Sequence, residues 1–143
     1  MSNTVNLLKL CVGTETVEEL AAWQAMRRKH WPDGLPRHIT RMWPKREAEV
    51  LNGGSLYWVF KGVILARQAI TAFEERRGED GILRCALVLD PALIRTEPAP
   101  RRPFQGWRYL SVEDAPRDLP KSRRAEDALP PELARALADI GLR

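Results

Sequence analysis

Three apolar runs, separated by connections too short to hold a helix, constrain this chain most. Residues 55–60 (Ser-Leu-Tyr-Trp-Val-Phe) form an uninterrupted aromatic and β-branched run. Lys61-Gly62 follows as a two-residue turn, and 63–73 resumes with Val, Ile, Leu, Ala and Phe. Ala66, Ala69 and Ala72 suit a helical period as well as an extended one. A turn directly after Phe60 leaves no room for a crossover, so a strand is the preferred reading of 63–73. Arg77-Gly78-Glu79-Asp80-Gly81 turns the chain again, 82–89 is the clearest strand pattern, and Asp90-Pro91 ends it. These runs predict three consecutive antiparallel strands at the centre of the fold.

The flanking segments fill out an α+β architecture. Residues 6–12 read as a short buried strand stopped by Gly13. Thr16 with Glu19 three residues on forms a capping box, and Val17, Leu20, Ala21 and Gln24 share one face of the helix it opens, with Trp23, Met26 and His30 beside it. Arg27, Arg28 and Lys29 complement the negative end of that helix, and Trp31-Pro32-Asp33-Gly34 terminates it. Residues 37–43 suit a strand, Pro44 suits the first turn of a short helix to residue 51, and Asn52-Gly53-Gly54 ends it. Pro98, Pro100 and Pro103 around Arg101 and Arg102 predict a solvated connection before a last strand at 104–110. Residues 114–124 read as a surface loop and 131–140 as an amphipathic helix closed by Gly141. The expectation is one α+β domain, a curved, mainly antiparallel sheet or pseudo-barrel with two early helices and a C-terminal helix. A chain of 143 residues is long enough to bury its own core.

Charge is placed unevenly. Residues 27–67 hold nine Lys or Arg against three acids, whereas 1–26 hold one against three and 68–143 balance thirteen with thirteen. The net charge of +4 therefore originates in the second quarter of the chain. No apolar run approaches the roughly 20 residues of a membrane span, and the short run at 5–12 is too brief and too promptly charged at Lys9 for a signal peptide. A cytoplasmic location and no membrane partner are expected. Cys11 and Cys85 lie in apolar runs as small hydrophobes.

Catalytic signatures are missing. His30 and His38 stand eight apart in a proline-broken segment, and both cysteines are distant, so no metal site is expected. No Gly-x-Ser-x-Gly elbow surrounds Ser55 or Ser111. Asn52-Gly53-Gly54-Ser55 is glycine-rich but precedes a strand, where phosphate-cradling loops precede a helix. Glu74 and Glu75 beside Arg76 and Arg77 read as a solvated strand end. No catalytic residue and no cofactor are therefore assigned.

What survives is a basic-aromatic block. Arg41, Lys45, Arg46 and Arg67 can engage phosphates, and Trp43 or Tyr57 can stack on unpaired bases. Strand alternation assigns Leu56, Trp58 and Phe60 to the core and leaves Tyr57 as the more exposed ring, with Trp43, His38 and Arg67 as neighbours. Arg67 and Gln68 interrupt an apolar strand; they can read a base edge or satisfy a buried acid. The plainer alternative is that the rings pack the core and the cations solubilise. The predicted function is non-enzymatic binding of RNA or a modified nucleotide in a basic-aromatic cleft. A small hydrolase or transferase acting on an anionic metabolite, and a protein-interaction module docking through Arg101-Arg102-Pro103-Phe104, are the alternatives.

The strings Trp43-Pro44-Lys45-Arg46, Gly53-Gly54-Ser55-Leu56-Tyr57-Trp58-Val59-Phe60-Lys61-Gly62, Arg67-Gln68 and Arg101-Arg102-Pro103-Phe104-Gln105-Gly106-Trp107-Arg108-Tyr109-Leu110 resemble a bacterial family of similar length, Domain of Unknown Function 1489, over nearly the whole chain. That resemblance implies no activity. The element order of strand, helix, strand, short helix, Gly-Gly and antiparallel strands is similar to the PUA-like superfamily, including the ASCH and EVE domains. That likeness implies a small pseudo-barrel binding RNA or modified bases beside its early helices.

Overall fold

The structure is a computed structural model and describes residues 3–120 of the chain. Its elements run β1 (Val5–Leu10), α1 (Val17–Arg27), a 3-10 turn (Arg28–His30), β2 (Arg37–Thr40), α2 (Glu47–Leu51), β3 (Ser55–Phe60), β4 (Val63–Arg77), β5 (Leu83–Leu89), β6 (Ile94–Pro100) and β7 (Trp107–Ser111). The expected terminal helix at 131–140 lies outside the described residues. No described helix is long and apolar enough to cross a membrane.

β3, β4 and β5 form the predicted antiparallel centre. Lys61 at φ 49 and Gly62 at φ 83 make the left-handed pair that a tight hairpin needs, because this turn follows the twist of its strands. The strand reading of 63–73 holds, and β4 extends four residues further, to Arg77. Its length lets β5 pair with Ile70–Arg77 while β6 pairs with Val63–Arg67. The main path through the sheet is β2-β5-β4-β3-β1-β7, with β6 attached to β4. Every pairing is antiparallel except β1 with β3, whose parallel register sets Leu7 beside Leu56 and Leu10 beside Val59. The architecture is α+β with a mostly antiparallel sheet.

One expectation fails at 94–100, which is a strand and not a solvated connection. Its prolines are tolerated because Pro100 is the last pair of the ladder and the outer edge of β6 is bridged only where Thr96 meets Asp118. The chain returning at 117–119 supports that edge through Glu97 N–H to the Arg117 carbonyl (2.8 Å) and Leu119 N–H to the Arg95 carbonyl (2.9 Å).

Both sheet faces are covered, and this accounts for the continuous apolar run of β3. Leu56, Trp58 and Phe60 join Leu7, Leu87 and Leu89 on the face carrying α1 and α2, with Val17, Leu20 and Val50 from the helices. Tyr57 and Val59 join Leu8, Ile64 and Leu110 on the opposite face, under Ala99, Phe104 and Ala115. Tyr57 is therefore 7% exposed, and the expectation of an open ring there is corrected. Period-two alternation separates the two faces of a strand but cannot say that a distant loop will seal the second one.

Candidate functional site

The seven residues singled out in the sequence go to three places. Arg41, Trp43, Lys45 and Arg46 lie together on the connection from β2 to α2, Tyr57 and Arg67 meet on the opposite sheet face, and Gln68 is sealed inside.

The 41–46 connection is held from below. Pro44 is fully buried, the Trp107 indole N–H donates to the Met42 carbonyl at 2.9 Å, and the Arg46 amide donates to the Tyr109 hydroxyl at 3.1 Å. Trp43 leans on Phe73 with ring centroids 5.9 Å apart and donates its indole N–H to Glu47. The Arg46 guanidinium sits 5.3 Å from the Tyr109 ring centroid and pairs with Glu49 at 2.7 Å. That pairing raises the Arg46 pKa and lowers that of Glu49. Met42, Trp43 and Tyr109 stay 53%, 37% and 37% exposed. Arg41 and Lys45 are exposed too, with no ion-pair partner among the described residues. The result is a ledge of two half-open rings among three cations. Tyr109 was not singled out in the sequence; the alternation Trp107-Arg108-Tyr109-Leu110 placed it on the same strand face as Trp107, which is the signal that could have found it.

On the other face, β1, β3, β4 and the 112–118 segment enclose an open cavity of about 480 Å³. Arg67 stands directly across the ladder from Tyr57. Its guanidinium is clamped by Asp118, Nε to Oδ1 at 2.7 Å and Nη2 to Oδ2 at 2.8 Å, while Nη1 donates to Ser55 Oγ at 2.9 Å. The Asp118 hydrogen bonds raise the Arg67 pKa, and burial pushes the Tyr57 phenol up, so the hydroxyl stays protonated. Of the two roles open to Arg67 in the sequence, the structure shows a partly buried acid as its partner.

Gln68 points the opposite way. It is 0% exposed, exchanges two amide hydrogen bonds with Gln24 of α1 (2.8 and 2.9 Å), accepts from the Trp58 indole at 3.0 Å and donates to the Asp90 carbonyl at 3.0 Å. Every polar atom of that side chain is used, so it locks α1 to the sheet. His38 is half-buried, edge-on to Trp58 at 5.3 Å with Nε2 buried and without a hydrogen-bond partner among the described residues, and burial pulls its pKa down to about 4.

The profile of the family described as Protein of unknown function (DUF1489) matches residues 7–143. The chain belongs to the DUF1489 family. No curated protein and no solved structure matches it. Among the described residues no three His, Cys, Asp or Glu side chains gather as a metal would require. The ledge presents half-open rings and cations to solvent. The cavity offers hydrogen-bond donors to something small.

Proposed function

We propose that this protein binds single-stranded nucleic acid, RNA or a strand carrying a modified nucleotide, without chemical conversion, and that it does so on the ledge of Arg41, Trp43, Lys45, Arg46 and Tyr109. The observation that carries the reading is the half-open Trp43 ring beside the exposed Arg41, Lys45 and Arg46, with Tyr109, itself half-open, under Arg46. Bases stack on such rings without regard to sequence, and the cations track the backbone. The likeness of the element order to PUA-like domains supports the same partner class.

Anisotropy of a labelled single-stranded RNA across a salt series tests it. With three phosphate contacts the logarithm of the binding constant falls with the logarithm of salt at a slope of about −2. Trp43→Ala and Tyr109→Ala each weaken binding by roughly one to two orders of magnitude, the effect of about 1 to 3 kcal/mol per stacked base. Absent or salt-insensitive binding would overturn the reading.

A further inference from the structure

The cavity beside Arg67 carries an inference independent of the ledge. It lies on the opposite sheet face, and its volume of about 480 Å³ falls within the range of small-molecule pockets. Its polar lining presents hydrogen-bond donors. Asn6, buried in β1, uses its side-chain oxygen to accept the Ser55 N–H at 2.9 Å, which turns its NH2 group outward with no acceptor among the described residues. Ser55 Oγ accepts from Arg67 and so keeps its own proton to give. The Tyr57 hydroxyl, a third lining group, has no hydrogen-bond partner among the described residues.

Arg67 and Asp118 cancel one another's charge, and their side-on clamp through Nε and Nη2 fixes the guanidinium so that Nη1 orients Ser55. What remains at the rim is the exposed Arg117, with no ion-pair partner among the described residues. Val112, Ala115 and Pro116 make up an apolar wall. Three open donors, one open positive charge and one apolar side describe a receptor for an acceptor-rich head on a compact body.

We propose that this cavity binds a small oxyanion, a phosphate monoester or a carboxylate, with its oxygens on Asn6, Ser55 and Tyr57 and its charge toward Arg117. Arg67 acts as a positioning residue, since its hydrogen bonds are spent on Asp118 and Ser55.

The test is an NMR titration of the full chain with sodium phosphate and, separately, sodium acetate, each against sodium chloride at matched ionic strength. The expected result is saturable movement of the Asn6 side-chain NH2 and the Ser55 and Val112 amides with one or both oxyanions, and none with chloride. Saturation by phosphate alone assigns a phosphate head, and saturation by acetate assigns a carboxylate. Tyr57→Phe keeps the buried ring and removes only the hydroxyl, so affinity should fall about tenfold, the effect of one hydrogen bond to a charged oxygen. Equal response to chloride, or no response at Asn6 with either oxyanion, overturns the proposal on the wild-type protein alone. Undiminished binding by a folded Tyr57→Phe protein overturns the donor assignment. RNA binding on the ledge enters none of these outcomes.

Discussion

Replacing Gln68 by Leu distinguishes a core lock from a ligand contact, because the two roles predict opposite readouts. The side chain makes four hydrogen bonds at 0% exposure, and Leu is close enough in volume to leave no large void. The change strands the Trp58 indole N–H and the Asp90 carbonyl, since Trp58 is buried and cannot swing to water. Gln24 is buried too, and its amide loses both of its bonds to Gln68. Three stranded groups at about 1 to 3 kcal/mol each, less about 2 kcal/mol gained from burying an apolar side chain, give a destabilisation of about 4 kcal/mol. Against a total stability of about 5 to 15 kcal/mol this is a large fraction. Urea unfolding should show the midpoint falling with an unchanged slope, and RNA affinity of the folded protein should stay at the wild-type value. Gln24→Leu combined with Gln68→Leu should cost less than the sum of the two, since the second change removes groups the first left unpaired. A Gln68→Leu protein that keeps its stability and loses affinity would refute this reasoning.

Two further perturbations test how the sheet is assembled. Gly54 joins α2 to β3, and a Cβ there would run into the backbone carbonyls of Val5 and Val50, which cannot step aside without parting β1 from β3. Gly54→Ala should therefore lower the thermal midpoint sharply, while Gly53→Ala, with open space around it, suffers only the smaller strain of its φ of 91°. His38 supplies a pH dependence. Burial lowers its folded pKa from 6.5 to about 4, so the unfolded chain takes up a proton first on acidification. Stability present above pH 6.5 should then decline as pH falls toward about 4, by up to about 3 kcal/mol from this residue. His38→Gln should flatten urea midpoints above pH 4.5, before the salt-bridged Glu49 and Glu74 begin to titrate.

The local grammar of the chain was legible where one short-range rule decides. The helix start at Thr16, whose Oγ1 accepts the Glu19 N–H at 3.1 Å, is one such place, and the Lys61-Gly62 hairpin is another. The fate of Tyr57 was not legible, because its cover comes from Ala99, Phe104, Leu110 and Ala115, forty and more residues away. The parallel pairing of β1 with β3 is similarly hidden, since nothing in 5–10 names its partner. At the ledge the cations and Trp43 could be read as one cluster, being neighbours in sequence. Tyr109 enters only through the β1–β7 pairing that carries it under Arg46. Arg67 and Gln68 were rightly marked as unusual in an apolar strand, yet adjacent strand residues face opposite ways, and so their fates divided.

The most direct test of nucleic-acid binding on the ledge follows the indole N–H signals of the five tryptophans while single-stranded RNA is added. Trp43 should move and saturate with the binding curve, because its half-open ring lies among Arg41, Lys45 and Arg46. Trp58, buried in the core and hydrogen-bonded to Gln68, should hold still. A Trp43 signal that stays fixed while RNA binds, or no binding at all, would contradict the account.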